Sequence, residues 1–413
     1  MASDSKRIDR NIHYWIEGLH PMKRRRYDVD WLRAIAVLVV FLFHNARFFD
    51  PLPWHIKNAE HHIGMLLFVG FVDVWSMPLF FFLSGVGAWY SLESRNSRQY
   101  LWERCKRLLV PLYTVGTFVL LPPQLYWECI AQESCEGSFW ELYPRYFLET
   151  FNLRPSPFFA SFWMGHLWFL KFLFLISLGS LPVLLFLKTP RGRNVIDRVA
   201  GRFDRSGGFF VAIGLLALIQ IGLRGFCLGQ HTWADLAYFT VFFIFGYILP
   251  ANLKFTKSIQ KNTTICFVFG VLALMAELYF IFVKGYNYPE GQGFNPLGLY
   301  LSFQFTMSVN AWCWMVVILS FAFKYLNFDC RFLRYSKEFV LPFYILHQSL
   351  ILWFGWYIIP LQLSIPTKYL LIGTLSFVSI VATYELLIKR FGATRFLFGM
   401  KQKPISFLVN PSD

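Results

Sequence analysis

An all-α polytopic membrane protein, with about ten transmembrane helices and both termini cytoplasmic, is the fold this sequence predicts. Three observations predict it. The 413 residues are 56% hydrophobic and 20% aromatic, with a mean hydropathy of +0.45; soluble domains of this length do not carry that composition, whereas bundles of membrane helices do. Ten apolar runs follow one another along the chain. The basic residues alternate with them: 31 of the 39 Lys and Arg fall in the segments that share a side with the N-terminus. That bias sets the orientation by the positive-inside rule. It also accounts for the net charge of +15, which forms no single basic domain, so nucleic acid is not an expected partner.

A basic cytoplasmic tail, 1–26, comes first and ends in Lys23-Arg24-Arg25-Arg26. No small-residue cleavage site follows the first apolar run, so no cleavable signal is expected. The membrane domain is placed over 27–404, and 405–413 form a second tail. Its spans are read at Trp31–Phe49, Met65–Leu92, Leu108–Trp127, Leu167–Leu187, Phe209–Leu223, Leu236–Leu249, Ile265–Val283, Leu297–Phe323, Phe339–Ile359 and Tyr369–Ile388. One external loop is long, about 128–166. It is acidic at first (Glu128, Glu133, Glu136) and then aromatic (Phe139, Trp140, Tyr143, Phe158, Trp163). Such a segment lies in the membrane interface or serves as a platform that stacks on a sugar. Cys129 and Cys135 share this loop and either pair or stay free. The seven cysteines contain no CxxC pair and no Cys/His cluster, so no metal site is expected.

The chemistry centres on Asp30 to Asn45, an apolar run that holds Arg33 and His44. Eleven positions on a helix bring both to within roughly 20° of one face and about 16 Å apart along the axis. Imidazole is the usual general base near neutral pH, and ionisable groups at membrane depth are usually functional. Taken singly, each residue has an ordinary explanation: helix-to-helix hydrogen bonding for His44 and snorkelling for Arg33. Arg104 and Arg107, ahead of Pro111, are three apart and share a helix face. They are either topology signals or a bidentate grip on phosphates. Ser84 and Gly85 close the run Phe80–Gly85; they permit close helix packing or a slot for a linear substrate arm. His166 and Trp168 open the fourth span, and His347 lies within the ninth.

These elements occur in a recognisable order. Arg33-x10-His44 after Asp30, FFFLSG at Phe80–Gly85, Arg104-x-x-Arg107 before Pro111, GHLWFL at Gly165–Leu170, FFIFGYIL at Phe242–Leu249 and FYILHQ at Phe343–Gln348 together resemble the acyltransferase-3 family of integral membrane O-acyltransferases. The likeness runs from about Tyr27 to Pro404. The HLWFL run, Tyr384-Glu385 and Arg395–Gly399 look most like the branch that modifies periplasmic glucans, which includes a glucan succinyltransferase. The resemblance implies an acyl-CoA co-substrate, no permanently bound cofactor, and a glycan hydroxyl acceptor on the other face of the lipid bilayer. It assigns catalysis to His44 and donor binding to Arg33, Arg104 and Arg107. The chain departs from the pattern at Pro78, where many members carry an acidic residue; Asp73 is then the nearest carboxylate.

The expected activity is transfer of an acetyl or succinyl group from cytoplasmic acyl-CoA to an envelope glycan, in the inner membrane. The donor arm passes Ser84 and Gly85 towards His44 as general base, directly or through an acyl-histidine. His166 and Trp168 line the acceptor entrance, with Asp30, Asp73 and His347 in support. A transporter or flippase for a glycan or acyl intermediate is the alternative, although no matched pair of Gly/Pro-broken helices is evident.

Overall fold

The structure, a computed structural model, describes residues 26–150, 164–205, 207–208, 210–227, 229–286 and 295–401. The first half of the bundle holds α1 (Tyr27–Ala46), α2 (Ile63–Ser94), α3 (Ser97–Ala131) and α4 (Phe139–Thr150). Next come α5 (Trp168–Gly179), α6 (Leu181–Lys188), α7 (Pro190–Asp204) and α8 (Phe210–Arg224). Then follow α9 (Trp233–Ile248), α10 (Leu253–Lys261), α11 (Thr263–Phe282) and α12 (Leu297–Tyr325). The chain closes with α13 (Arg331–Ile358), α14 (Ile365–Thr383) and α15 (Gly392–Leu397). All described elements are helical.

Each of the ten apolar runs is helical. Eight described helices are long and apolar enough to cross a membrane; α5 and α6 pass only as a pair, bent by 48° between them. The fifth predicted span is the 15-residue α8, shorter than a bilayer requires if untilted. The protein is therefore a multi-pass membrane protein. Predicted bounds shift most at α3, which begins at Ser97 rather than Leu108, and then at α13, which begins at Arg331 rather than Phe339 because the side chain of Cys330 caps a polar first turn.

Starts and breaks follow local chemistry. His62 caps α2 by accepting from the Gly64 amide at 3.1 Å. Asn96 and Gln99 form a reciprocal capping box at the head of α3. Pro111 has no N–H to offer the carbonyl four residues back, and α3 widens into π turns on either side of it, Cys105–Leu109 and Leu112–Leu120.

The central pair is α2 against α9. A Cβ on Gly85 would lie 1.9 Å from the Phe243 carbonyl oxygen, and one on Gly246 would lie 1.9 Å from that of Phe82. The glycines of FFFLSG and FFIFGYIL thus let two backbones touch, as small residues do between membrane helices. Gly85 faces α9, and close packing accounts for the glycine. On another side α7 and α10 pack through Phe203 and Phe255, 5.6 Å apart, and the Ser258 hydroxyl donates to the Phe203 carbonyl at 2.7 Å.

The long loop is partly helix. α4 packs on α3 through Phe139 and Tyr126, the Tyr143 hydroxyl donates to the Phe118 carbonyl at 2.8 Å, and Trp140 is exposed. Cys129 and Cys135 are bridged. Phe158 and Trp163 lie outside the described residues.

Candidate active site

α1 is an unbroken helix, so the eleven-residue spacing puts Arg33 and His44 on one face, near opposite ends. Each end is built differently.

At the histidine end, His44 Nδ1 lies 2.9 Å from the Val40 carbonyl oxygen and 3.2 Å from His347 Nε2. A carbonyl can only accept, so Nδ1 carries the proton and Nε2 keeps its lone pair. His44 is half-buried, which leaves Nε2 reachable. His347 is oriented the same way: its Nδ1 donates to the Tyr344 carbonyl at 2.5 Å, freeing Nε2 to face His44. His166 Nε2 donates to the Ile345 carbonyl at 3.0 Å, and its buried Nδ1 has no hydrogen-bond partner among the described residues. His347 is 4.9 Å, ring centre to ring centre, from both His44 and His166. The Tyr344 hydroxyl donates to the His166 backbone carbonyl, tying α13 to the head of α5.

A second layer surrounds this trio. Glu128 Oε2 accepts from His55 Nδ1 at 2.7 Å. The Gln348 amide reaches His55 Nε2 at 2.9 Å and Gln124 Oε1 at 3.1 Å. Gln124 in turn donates to the Ser349 hydroxyl at 2.6 Å. Three separate segments are clamped here, the loop at His55, α3 and α13, and Gln348 adjoins His347 in the chain. Sequence reasoning missed His55 and Gln124; the available signal was a lone amide inside an apolar run.

Among the described residues, no carboxylate hydrogen-bonds His44. Asp73, expected as its nearest acid, instead lies within electrostatic reach of Arg47 and Asp235. The Val40 carbonyl does the orienting. Nor does any group of three or more His, Cys, Asp or Glu among the described residues converge as a metal would need.

At the arginine end, Arg33 Nη2 donates to the Leu83 carbonyl at 2.7 Å, and Arg104 Nη2 reaches the Ser84 carbonyl at 3.4 Å. The FFFLSG run therefore meets both arginines through its backbone. Arg107 makes no hydrogen bond or ion pair among the described residues, is exposed, and stands within electrostatic reach of Arg33 and Arg104. Like charges gathered this closely favour an anionic ligand. Asp30 sits among them, 3.3 Å from Lys337 and 3.9 Å from Arg33. This places it at the opposite end of α1 from His44.

Two motifs that are far apart in sequence meet at this end. Gly399, at φ +66°, lies against the backbone of Arg107, where a Cβ would come within 2.6 Å of the carbonyl oxygen. This is the carbonyl that Pro111 cannot satisfy. The closing segment is anchored by Arg395, which is 3% exposed and donates to the Lys401 carbonyl at 2.7 Å.

The acyltransferase domain of the acyltransferase-3 family matches residues 26–385. The chain belongs to the acyltransferase-3 family. It is a membrane acyltransferase, and the histidine and arginine ends are the two parts of its candidate site. Curated relatives include the glucans biosynthesis protein C of Escherichia coli O139:H28 (strain E24377A / ETEC), 25% identical over 401 residues, covering 92% of this chain and 95% of the relative. The protein of the same name from Escherichia coli strain SMS-3-5 / SECEC is 26% identical over the same length and coverage. No solved structure matches the chain.

Proposed function

We propose that this protein is an inner-membrane O-acyltransferase that moves an acetyl or succinyl group from cytoplasmic acyl-CoA to a hydroxyl of an envelope glucan on the external face. The glucan acceptor is supported by the name of the relatives, glucans biosynthesis protein C, and the orientation by the excess of Lys and Arg on one side.

The observation that carries the reading is the unprotonated, reachable Nε2 of His44 on the same helix face as Arg33. The donor phosphates dock on Arg33, Arg104 and Arg107. The extended pantetheine arm spans the roughly 16 Å to the imidazole. His44 Nε2 takes the proton of the acceptor hydroxyl as its oxygen attacks the thioester carbonyl. The carbon–oxygen bond forms, the carbon–sulfur bond breaks, and the proton passes to the departing thiolate to give free CoA. His347 holds His44 in place, and the clamp from Glu128 to Gln348 holds His347. His166 and Trp168 line the way in for the acceptor.

Incubating the purified protein with labelled acyl-CoA and extracted envelope glucan tests this. Labelled ester on the glucan, together with released CoA, is the expected result. A protein that binds either substrate but makes no ester with any acyl-CoA overturns it.

A further inference from the structure

Between α8 and α9 the chain makes a loop whose two ends are tied together. Arg224, the last residue of α8, forms an ion pair with Asp235 in the first turn of α9 and also donates to the Gly229 carbonyl at 3.0 Å. Asp235 accepts from the Thr232 amide at 2.9 Å. Inside this frame His231 adopts φ +58°, a region uncommon outside glycine.

The His231 ring lies against Trp168, with ring centres 4.2 Å apart and planes tilted by 35°. Neither ring nitrogen makes a hydrogen bond among the described residues, and the residue is partly exposed. Trp168, expected from the sequence to face the acceptor, has one face covered by this imidazole. The surface presented beside Trp168 is therefore the His231 edge, with the indole as its backing. Behind Trp168 the wall continues through Phe239, 5.8 Å away, to Phe81, which stacks on Phe239 at 4.6 Å.

Electrostatic neighbours connect this loop to His44. Asp73 is exposed although it lies well inside α2. It is within reach of both Asp235 and Arg47, and Arg47 is within reach of His44.

The turn itself asks only for a residue that tolerates positive φ, which glycine does at least cost. A histidine there adds a ring, and backbone outliers of this kind persist where the surroundings over-determine them, commonly at ligand sites. A neutral imidazole carries one donor and one acceptor nitrogen, matching the hydroxyls of a sugar.

We propose that His231, backed by Trp168, hydrogen-bonds a sugar hydroxyl of the glycan acceptor and so positions the acceptor for attack. The proposal rests on the reading above that the acceptor is a glycan entering at the histidine end.

Steady-state kinetics with labelled acyl-CoA and envelope glucan test it on wild type, His231→Gly and His231→Asn. Glycine keeps the backbone conformation and removes the ring; asparagine tolerates positive φ and restores a donor and an acceptor. His231→Gly should raise the acceptor KM at least fivefold and leave the donor KM within twofold, with His231→Asn recovering part of the loss. An unchanged acceptor KM, or equal rises in both constants, overturns the assignment of His231 alone. A wild type that forms no glucan ester overturns the acyltransfer reading and this proposal with it.

Discussion

The two ends of α1 are built by opposite means. At the arginine end, charge is gathered locally: Arg104 and Arg107 share one turn, Arg33 reaches the adjoining carbonyl at Leu83, and Arg107 makes no hydrogen bond or ion pair among the described residues. At the histidine end the three central imidazoles, His44, His347 and His166, each commit a ring proton to a backbone carbonyl. A surplus of positive charge suits the capture of a polyanion. A neutral base held in one tautomer suits proton abstraction. The difference between the ends predicts that binding and turnover separate by mutation.

The largest effect falls at His44. His44→Ala should lower kcat by about 10²–10⁴-fold, the usual worth of a positioned base, while the donor KM stays within twofold in steady-state assays. Next, Arg104→Ala and Arg107→Ala should each raise the donor KM by roughly 10- to 100-fold, as expected for loss of a charge-assisted hydrogen bond worth about 1.5–3 kcal/mol, with kcat little changed. A kcat loss at the arginines that matches the one at His44 would erase the distinction between the ends. Gly85→Val tests the scaffold they share. Its side chain would meet the Phe243 carbonyl, so thermal unfolding in detergent should show a loss of about 1–3 kcal/mol or more.

A smaller effect concerns pH. Burial lowers the His231 imidazole to about 4, below its ordinary value near 6.5. The folded state therefore disfavours its protonation: its contribution to stability is complete above about pH 6.5 and declines as pH falls towards 4. Wild type should lose stability relative to His231→Asn between pH 7 and pH 5, measured as the difference in Tm. A constant difference would mean that His231 titrates as if it were free.

How much was legible in the sequence differs between the ends for the same physical reason. Arg104, Arg107 and Arg33 lie near turns that declare themselves through Pro111, spacing and flanking charge, so local pattern found them. Their buttress at Gly399 came from some 290 residues further on and was visible only as a motif. His44 stood out as an ionisable group in an apolar run. The groups that orient it did not, because a backbone carbonyl such as that of Val40 has no sequence signature. Gln348 and His55 meet across 293 residues, a contact no periodicity encodes. Gly85 illustrates the remaining ambiguity: a small residue reads alike as a slot or as a helix contact, and the contact with α9 beside Gly246 has no local signature.

Equilibrium binding of labelled acyl-CoA to purified His44→Ala and to the Arg104→Ala/Arg107→Ala double variant is the most direct test that donor capture and proton abstraction sit at opposite ends of one helix. The account predicts wild-type affinity for the first and at least a tenfold loss for the second. The reverse order, or equal loss in both, would contradict it.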